Sequence, residues 1–153
     1  MHVFATLTSD PNSPGSTGSV VTPAAGTALS NDVGLQYRTS ATGAAAIFKI
    51  ASAATTNATS VKASAGRVVG WTLCNTTAAF KFVRFYNKAS APVVGTDSPV
   101  KIVGIPPNST LIKAMEGGVG YSLGIAYSIT NLVGDLDATA VAANDVIGGI
   151  YYA

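Results

Sequence analysis

The chain has 153 residues, of which 10% are charged and 48% are hydrophobic, and its formal net charge is +2. At this length we expect one domain, which would bury about 70% of its unfolded surface, enough for a core without disulfides or metals. Soluble proteins average about 25% charged residues, so a surface this poor in charge favours a chain that is covered by neighbours. With one histidine (His2) and one glutamate (Glu116), the chain lacks the groups for triad or paired-carboxylate catalysis, and we expect no enzyme activity.

Charge is unevenly distributed along the sequence. Every lysine and arginine lies between Arg38 and Lys113, and the charges beyond Lys113 are all acidic. This pattern fits two interpretations: charges scattered over a solvated surface, or complementary patches that dock copies of the chain or a partner shell. The sequence shows no secretory signal and no apolar stretch of the roughly 18 residues that a membrane span needs, so we expect a protein made in a cytoplasm and without membrane contact.

Residues 1–44 differ in composition from the rest of the chain. Small, polar and turn-forming residues dominate, and no hydrophobic period persists. We predict an extended N-terminal arm over residues 1–44, with a flexible linker as the alternative. Within it, residues 3–8 are compatible with one short strand, whose large apolar members are candidate partner-binding residues: Val3, Phe4 and Leu7. Residues 1–37 contain no lysine or arginine, which argues against contact between the arm and a packaged nucleic acid.

Residues 45–153 contain a series of predicted short strands. The clearest covers 121–130, where apolar residues such as Ile125 and Tyr127 alternate strictly with small or polar ones, the period of a strand with one buried face. Alternation and turn signals predict further strands over 45–53, 60–64, 67–75, 80–87, 100–105, 110–115 and 145–153. Eight short strands without an amphipathic helix indicate an all-β domain, an antiparallel β-sandwich or jelly roll.

Turn-forming residues separate these strands. Pro106-Pro107-Asn108 is a strong turn signal. Residues 116–118 are predicted to turn the chain from strand 110–115 into strand 121–130. The loop 131–144 is expected to contain one helical turn at 138–143, with Asp137 as its N-cap.

Strand 67–75 is predicted to belong to the core. Val69, Trp71 and Leu73 alternate and should share its buried face. Cys74 is the only cysteine of the chain, which excludes an intrachain disulfide, and we predict that it is an inert core thiol.

Strand 80–87 is apolar on both faces. Val83 and Phe85 are predicted to point to one side, and Tyr86 to the other side beside Arg84. Such a strand is either central in stacked sheets or half within an interface. Its basic and aromatic residues give the second set of candidate partner-binding residues: Lys81, Arg84 and Tyr86. Binders of single-stranded nucleic acid combine the same residue types, but a partly solvated face is the simpler explanation, and we predict no direct contact with nucleic acid.

Acidic residues cluster near the end of the chain. Asp135, Asp137, Asn144 and Asp145 offer the oxygen ligands that Ca²⁺ prefers, but Asp and Asn are equally suited to turns and caps, which we favour. The glycine-rich run 117–120 joins two predicted strands and lacks the lysine of a phosphate-binding loop. We therefore predict neither a metal site nor a cofactor.

Several stretches from Arg67 onward carry a resemblance to a known family. They are GWTLCNTTAA at 70–79, VRFYNKASAP at 83–92, VGTDSP at 94–99, IPP at 105–107, DATAVAANDV at 137–146 and YYA at 151–153. In these stretches the chain resembles the small jelly-roll cement or decoration proteins of tailed bacteriophages, which bind the outside of a capsid. The region over which these stretches are spread, from Arg67 onward, is a little more than half of the chain, and residues 1–44 lie outside it.

The resemblance implies a jelly roll over residues 45–153, made in the host bacterial cytoplasm, that assembles as a homotrimer on the outer capsid surface of the virion. There it would clamp neighbouring subunits of the major capsid protein and stabilise the head, without an active site. The predicted strand 3–8 would suit addition to the edge of a neighbour's sheet. The alternative is a jelly-roll receptor- or carbohydrate-binding module of a phage tail or fibre, which the absence of aromatic residues from the loops 88–99 and 131–144 makes less favourable.

Overall fold

The computed structural model of the protein describes residues 45–153. They form eight strands: β1 (Ala46–Ala51), β2 (Thr59–Lys62), β3 (Gly66–Asn75), β4 (Lys81–Asn87), β5 (Lys101–Ile105), β6 (Ser109–Tyr121), β7 (Ile125–Thr130) and β8 (Val146–Tyr152). The predicted all-β class is confirmed for this part of the chain, which contains no helix long and apolar enough to cross a membrane. The predicted arm and its strand at 3–8 lie outside the described residues.

The eight strands form two antiparallel sheets, in the orders β1-β8-β3-β6 and β2-β7-β4-β5. Both sheets contribute to one core, so the predicted β-sandwich is confirmed. The pairing is nested along the chain, because β4 pairs with β5, and β3–β6, β2–β7 and β1–β8 pair successively around them. Every connection except that between β4 and β5 therefore crosses from one sheet to the other.

The core lies between the two sheets and is built from alternating side chains of the strands. Trp71 from one sheet meets Phe85 from the other, with ring centroids 5.6 Å apart. Burying a side chain of this kind contributes about 1.5–3 kcal/mol. The core consists of Ile50, Val68, Trp71, Leu73, Val83, Phe85, Val103, Ile105, Tyr121, Ile125, Tyr127, Ile129, Val141, Val146 and Ile150.

A β-bulge shifts the alternation within β3. Trp71 and Leu73 face the core as predicted, but Val68, rather than the predicted Val69, joins them there. The register against β6 and β8 is irregular between Val68 and Gly70, and an extra residue at this point moves every earlier side chain to the other face.

Cys74 is not a core thiol, and that prediction is wrong. The residue pairs with Thr110 on β6 and Ile147 on β8, and it is only partly buried. It shares the phase of Thr72, whose hydroxyl lies 2.9 Å from the hydroxyl of Tyr151. This phase belongs to the outer face of the sheet, opposite to that of Leu73.

The predicted turn at 116–118 is also wrong, because β6 continues through it to Tyr121. Gly117 and Gly118, with φ of 73° and 68°, form a bulge against β3 instead of reversing the chain. The reversal lies at 122–124, and β7 begins at Ile125. All six residues of β7 are buried, so the alternation of large and small residues marks two covered faces and not one.

The loop 131–144 contains no helical turn at 138–143, contrary to prediction. Residues 138–142 have no regular structure, and Val141 is buried in the core with its N–H donating to the carbonyl of Thr55. Asp137 does not cap a helix. Its carboxylate accepts hydrogen bonds from the backbone N–H groups of Leu132 and Thr139 and so closes the loop on itself.

Replacing Gly148 should test how closely β8 packs on β3. Its φ is +144°, and a Cβ at this position would lie 1.9 Å from the carbonyl oxygen of Thr72. We expect Gly148→Ala to lower the free energy of unfolding by about 3 kcal/mol, because backbone must move to admit the methyl group. Gly120→Ala in β6 is the control, since nothing lies within 4 Å of the added Cβ. Equal urea midpoints for the two variants would show that β8 has room for a side chain at this position.

Candidate docking surface

The side of β4 that faces away from the core is nevertheless buried. Val83 and Phe85 share one side of β4 as predicted, and this side faces the core; Arg84 and Tyr86 lie on the opposite face, where they are only 0% and 2% exposed. The Tyr86 hydroxyl lies 3.1 Å from the hydroxyl of Ser128 on β7. Two loops, residues 88–99 after β4 and residues 131–139 after β7, come together on this side of the sheet. We call these two loops the loop platform.

Arg84 anchors the second loop. Its Nε donates to Oγ1 of Thr130 at 2.8 Å, and its two terminal nitrogens donate to the backbone carbonyls of Asp135 at 2.6 Å and Leu132 at 2.7 Å. A carboxylate oxygen of Asp137 lies 3.9 Å from the guanidinium. A buried guanidinium is tolerated only where its charge and its donors are satisfied, and here the loop supplies most of the partners. Arg84 therefore fixes the path of residues 132–137.

Asp137 secures the same loop from its other side. Burial by itself would raise the pKa of Asp137, but hydrogen bonds from the Thr139 hydroxyl and from the backbone N–H groups of Leu132 and Thr139 outweigh burial and hold that pKa below its usual value. The carboxylate is therefore ionised at neutral pH, when its charge opposes that of Arg84.

Lys81 connects the ends of the two sheets. Its Nζ lies 2.8 Å from a carboxylate oxygen of Asp145, just before β8, and donates a hydrogen bond to the side-chain oxygen of Asn131, just after β7. The same Asp145 oxygen accepts the backbone N–H of Ala142 at 2.9 Å. The hydrogen bond from Lys81 is the main reason that the pKa of Asp145 lies below its usual value.

The first loop is closed by an ion pair between Lys88 and Asp97. The hydrogen bond from Lys88, together with one from the N–H of Val93 at 2.7 Å, lowers the pKa of Asp97. Gly95, with φ of +92°, lies against the second loop, since a Cβ there would be 3.4 Å from the Cβ of Ala138. The two loops are thus in contact, and each is held by a cation from β4 or from the residue after it.

The loop platform presents large aliphatic side chains to solvent. Val93, Leu132, Val133 and Leu136 are each 58–61% exposed. Single exposed aliphatic residues are ordinary, but four of them on two contacting loops make the platform a candidate interaction surface. Because the carbonyl of Leu132 is bound to Arg84, part of this surface stands on fixed backbone, which reduces the ordering cost of binding.

The predicted partner-binding residues of β4 are not on the surface of the described structure. All three are buried: Arg84 and Tyr86 beneath the platform, and Lys81 between the ends of the two sheets. Arg84 and Lys81 hold residues of the second loop, so any effect of these two on a partner would be exerted through that loop. Val3, Phe4 and Leu7 lie outside the described residues. The exposed aliphatic residues of 131–139 were not predicted to bind a partner, although large aliphatic side chains within a loop rich in Gly and Asp were a visible signal.

The acidic residues near the end of the chain act as partners of protein donors. Asp137 and Asp145 accept backbone N–H groups and face Arg84 and Lys81. Within residues 45–153, no group of three or more metal-ligating side chains comes together. Part of the uneven charge distribution of the sequence therefore reflects ion pairs within the fold, in which basic residues of β4 contact acidic residues of the segment between β7 and β8.

A separate open cleft of about 480 Å³ lies beside the start of β3 and the end of β6. Arg67, Asn87 and Tyr121 line it. Burial raises the pKa of Tyr121 to about 12, so its hydroxyl stays protonated at neutral pH. A cation, an amide and an aromatic residue are groups that commonly line binding sites for polar ligands such as sugars.

No family model, curated protein or solved structure matches the chain. Its function must therefore be inferred from its own residues.

Removing the guanidinium of Arg84 should release the second loop. We expect Arg84→Met to lower the free energy of unfolding by about 3–5 kcal/mol, because the variant leaves Asp137 and two carbonyls without their buried partner. Hydrogen exchange of the amides at 132–139 should accelerate at the same time. Arg67→Met, at an exposed arginine, is the matched control and should leave both quantities nearly unchanged. Unchanged protection of 132–139 in Arg84→Met would show that Arg84 does not hold the loop.

Stability should fall in acid partly through Asp145. Because its pKa is lowered by folding, Asp145 contributes stability above the ordinary carboxyl pKa of about 3.9, and this contribution is lost as the pH falls through the lowered value in the folded state. We expect the difference in urea midpoint between pH 6 and pH 2.5 to be smaller in Asp145→Asn than in the parent protein. Asp135→Asn, which removes a carboxylate without an ion pair among the described residues, should keep the parental difference. An equal change in both variants would refute this role of Asp145.

Proposed function

We propose that the protein is a virion structural protein that binds the outer surface of a tailed-phage capsid. It does so as a homotrimer, clamps neighbouring subunits of the major capsid protein and stabilises the head. The observation that carries this proposal is the loop platform, where four exposed aliphatic side chains stand on loops held by the buried Arg84 and by the partly exposed ion pair of Lys88 with Asp97. This is the surface we assign to the contact with the capsid.

Such a platform is costly for an isolated chain. Exposed Leu and Val side chains contribute nothing to the stability of that chain, and burying Arg84 costs several kcal/mol before its partners offset it. Both features favour binding, because a preordered apolar patch gains free energy when a neighbour covers it. Many such contacts around a closed shell add through avidity, so each can be modest.

The nested strand pairing supports the jelly-roll part of the proposal. Eight strands paired outward from β4–β5 to β1–β8 are what a jelly roll requires. The stretches that resemble phage cement proteins include most of β4 and of the first platform loop, at 83–92 and 94–99, and the end of the second, from 137 onward; the four exposed aliphatic residues of the platform lie outside them. The few charges of the chain agree with a surface that neighbours cover.

The cleft at Tyr121 favours a second candidate function, a receptor- or carbohydrate-binding module of a tail or fibre. Tyr121, Asn87 and Arg67 provide the types of group that such a site needs. Glycan-array binding at millimolar or tighter affinity, lost in Asn87→Ala and kept in Leu136→Ser, would support this function over the first.

The first proposal is tested on heads of the source virus from which the protein has been stripped. Adding the purified protein should raise the temperature at which the heads release DNA, and Leu132→Ser/Leu136→Ser should bind them at least about tenfold more weakly, as expected when about 1.4 kcal/mol of contact is lost. Leu123→Ser is the matched control, because Leu123 is 63% exposed but lies outside the platform. Equal survival of heads with and without the protein would refute capsid stabilisation, and equal weakening by both variants would refute the platform as its contact surface.

A further inference from the structure

The four strands at the sheet edges differ in how they are protected from pairing with another chain. β2 has four residues and an irregular register, and β5 is bracketed by prolines at 99 and 106. Short length, bulges and prolines are the usual means of blocking an edge. β1 carries Lys49 and follows directly on residues 1–44. The remaining edge strand, β6, has 13 residues and contains no proline.

The first part of β6 is a regular and uncovered edge in the described structure. Residues 109–114 run in regular register against residues 70–75 of β3, before the glycine bulge begins. Lys113 is the only charged residue among them, and Ile112 on the outer face is 71% exposed. Within residues 45–153, no backbone hydrogen bond from outside β3 reaches β6. An open, regular edge of this kind accepts an added strand through its free backbone groups.

The sequence contains a segment that suits this edge. Residues 3–8 are the predicted strand of the N-terminal arm, and their length equals the six-residue regular stretch of β6. They carry no charge, so pairing would not remove a charged side chain from water. In a strand, Val3, Ala5 and Leu7 fall on one face, where they match the apolar side chain of Ile112.

The order of the sheet determines what such pairing would build. Residues 1–44 lead into β1, at one edge of the β1-β8-β3-β6 sheet, whereas β6 is at the other edge. In such a contact, the segment that precedes β1 in one copy binds the β6 edge of another copy. Two different surfaces therefore meet, and the contact is head-to-tail. Head-to-tail contacts generate a ring wherever the rotation between copies closes, and a trimer is one such ring.

We propose that residues 3–8 of one copy pair with residues 109–114 of β6 in the next copy, and that this added strand closes the oligomer. This inference takes only the number of copies, three, from the proposed function. It joins copies of the chain to one another, and its surface is distinct from the loop platform that we assign to the capsid.

Cysteine cross-linking of the full chain tests this pairing. All variants carry Cys74→Ser, so that no native thiol reacts. Ile112→Cys protein is mixed, after unfolding and refolding together, with a second protein that carries Val3→Cys, Ala5→Cys or Leu7→Cys, and the mixture is oxidised with copper phenanthroline. Ile47→Cys replaces Ile112→Cys in the control, since Ile47 is 68% exposed on the opposite edge of the same sheet. Chains marked with a small tag identify the two partners on a non-reducing gel.

We expect mixed dimers with Ile112→Cys in at least about tenfold excess over those with Ile47→Cys, because only adjacent strands hold the two thiols at high effective concentration. A chain that carries both Ala5→Cys and Ile112→Cys should give covalent closed oligomers. Equal cross-linking at Ile47, or a disulfide formed only within single chains, would overturn the pairing. Cross-linking without binding to heads would refute the proposed function and keep the pairing, whereas binding to heads without cross-linking would refute the pairing alone.

Discussion

A buried guanidinium organises the part of the protein on which its proposed function depends. Arg84 points away from the core and is still completely covered, because the loop after β7 returns over β4 and offers it two carbonyls and a carboxylate. Moving such a cation out of water costs several kcal/mol unless every donor is satisfied. If the loop moved away from β4, Arg84 would lose these partners and the cost of burying its charge would no longer be offset. Arg84 therefore ties the conformation of a surface loop to the stability of the sheet beneath it.

Ion pairs within the chain neutralise further charges in a protein whose composition is already poor in charge. Three ion pairs join basic groups of β4 and the residue after it to acidic groups: Arg84 and Lys88 to Asp137 and Asp97 in the two loops, and Lys81 to Asp145 just before β8. Charges paired inside the chain are not available to keep copies apart in solution. What the loops then expose is largely aliphatic, and a neighbour that covers it has few charges to desolvate.

The two surfaces assigned to partners differ in their physics. The loop platform offers aliphatic side chains on an anchored backbone, and these gain free energy from burial against any complementary apolar surface. The edge of β6 offers backbone donors and acceptors, which fix a strand in register and are therefore suited to a defined segment of the same protein. This division agrees with a subunit that has two kinds of neighbour, a shell protein and further copies of itself.

The sequence by itself determined the strands, because a period of two is a local property that each segment carries independently. It misplaced the boundary between β6 and β7, since Tyr121, Leu123 and Ile125 keep the same alternation across the turn at 122–124. Only the tertiary structure decided what the charges do. Arg84 finds its partners 46–51 positions later in the chain and Lys81 finds Asn131 50 positions later. Burial of these cations depends on which loop returns over which strand, and no local pattern specifies that.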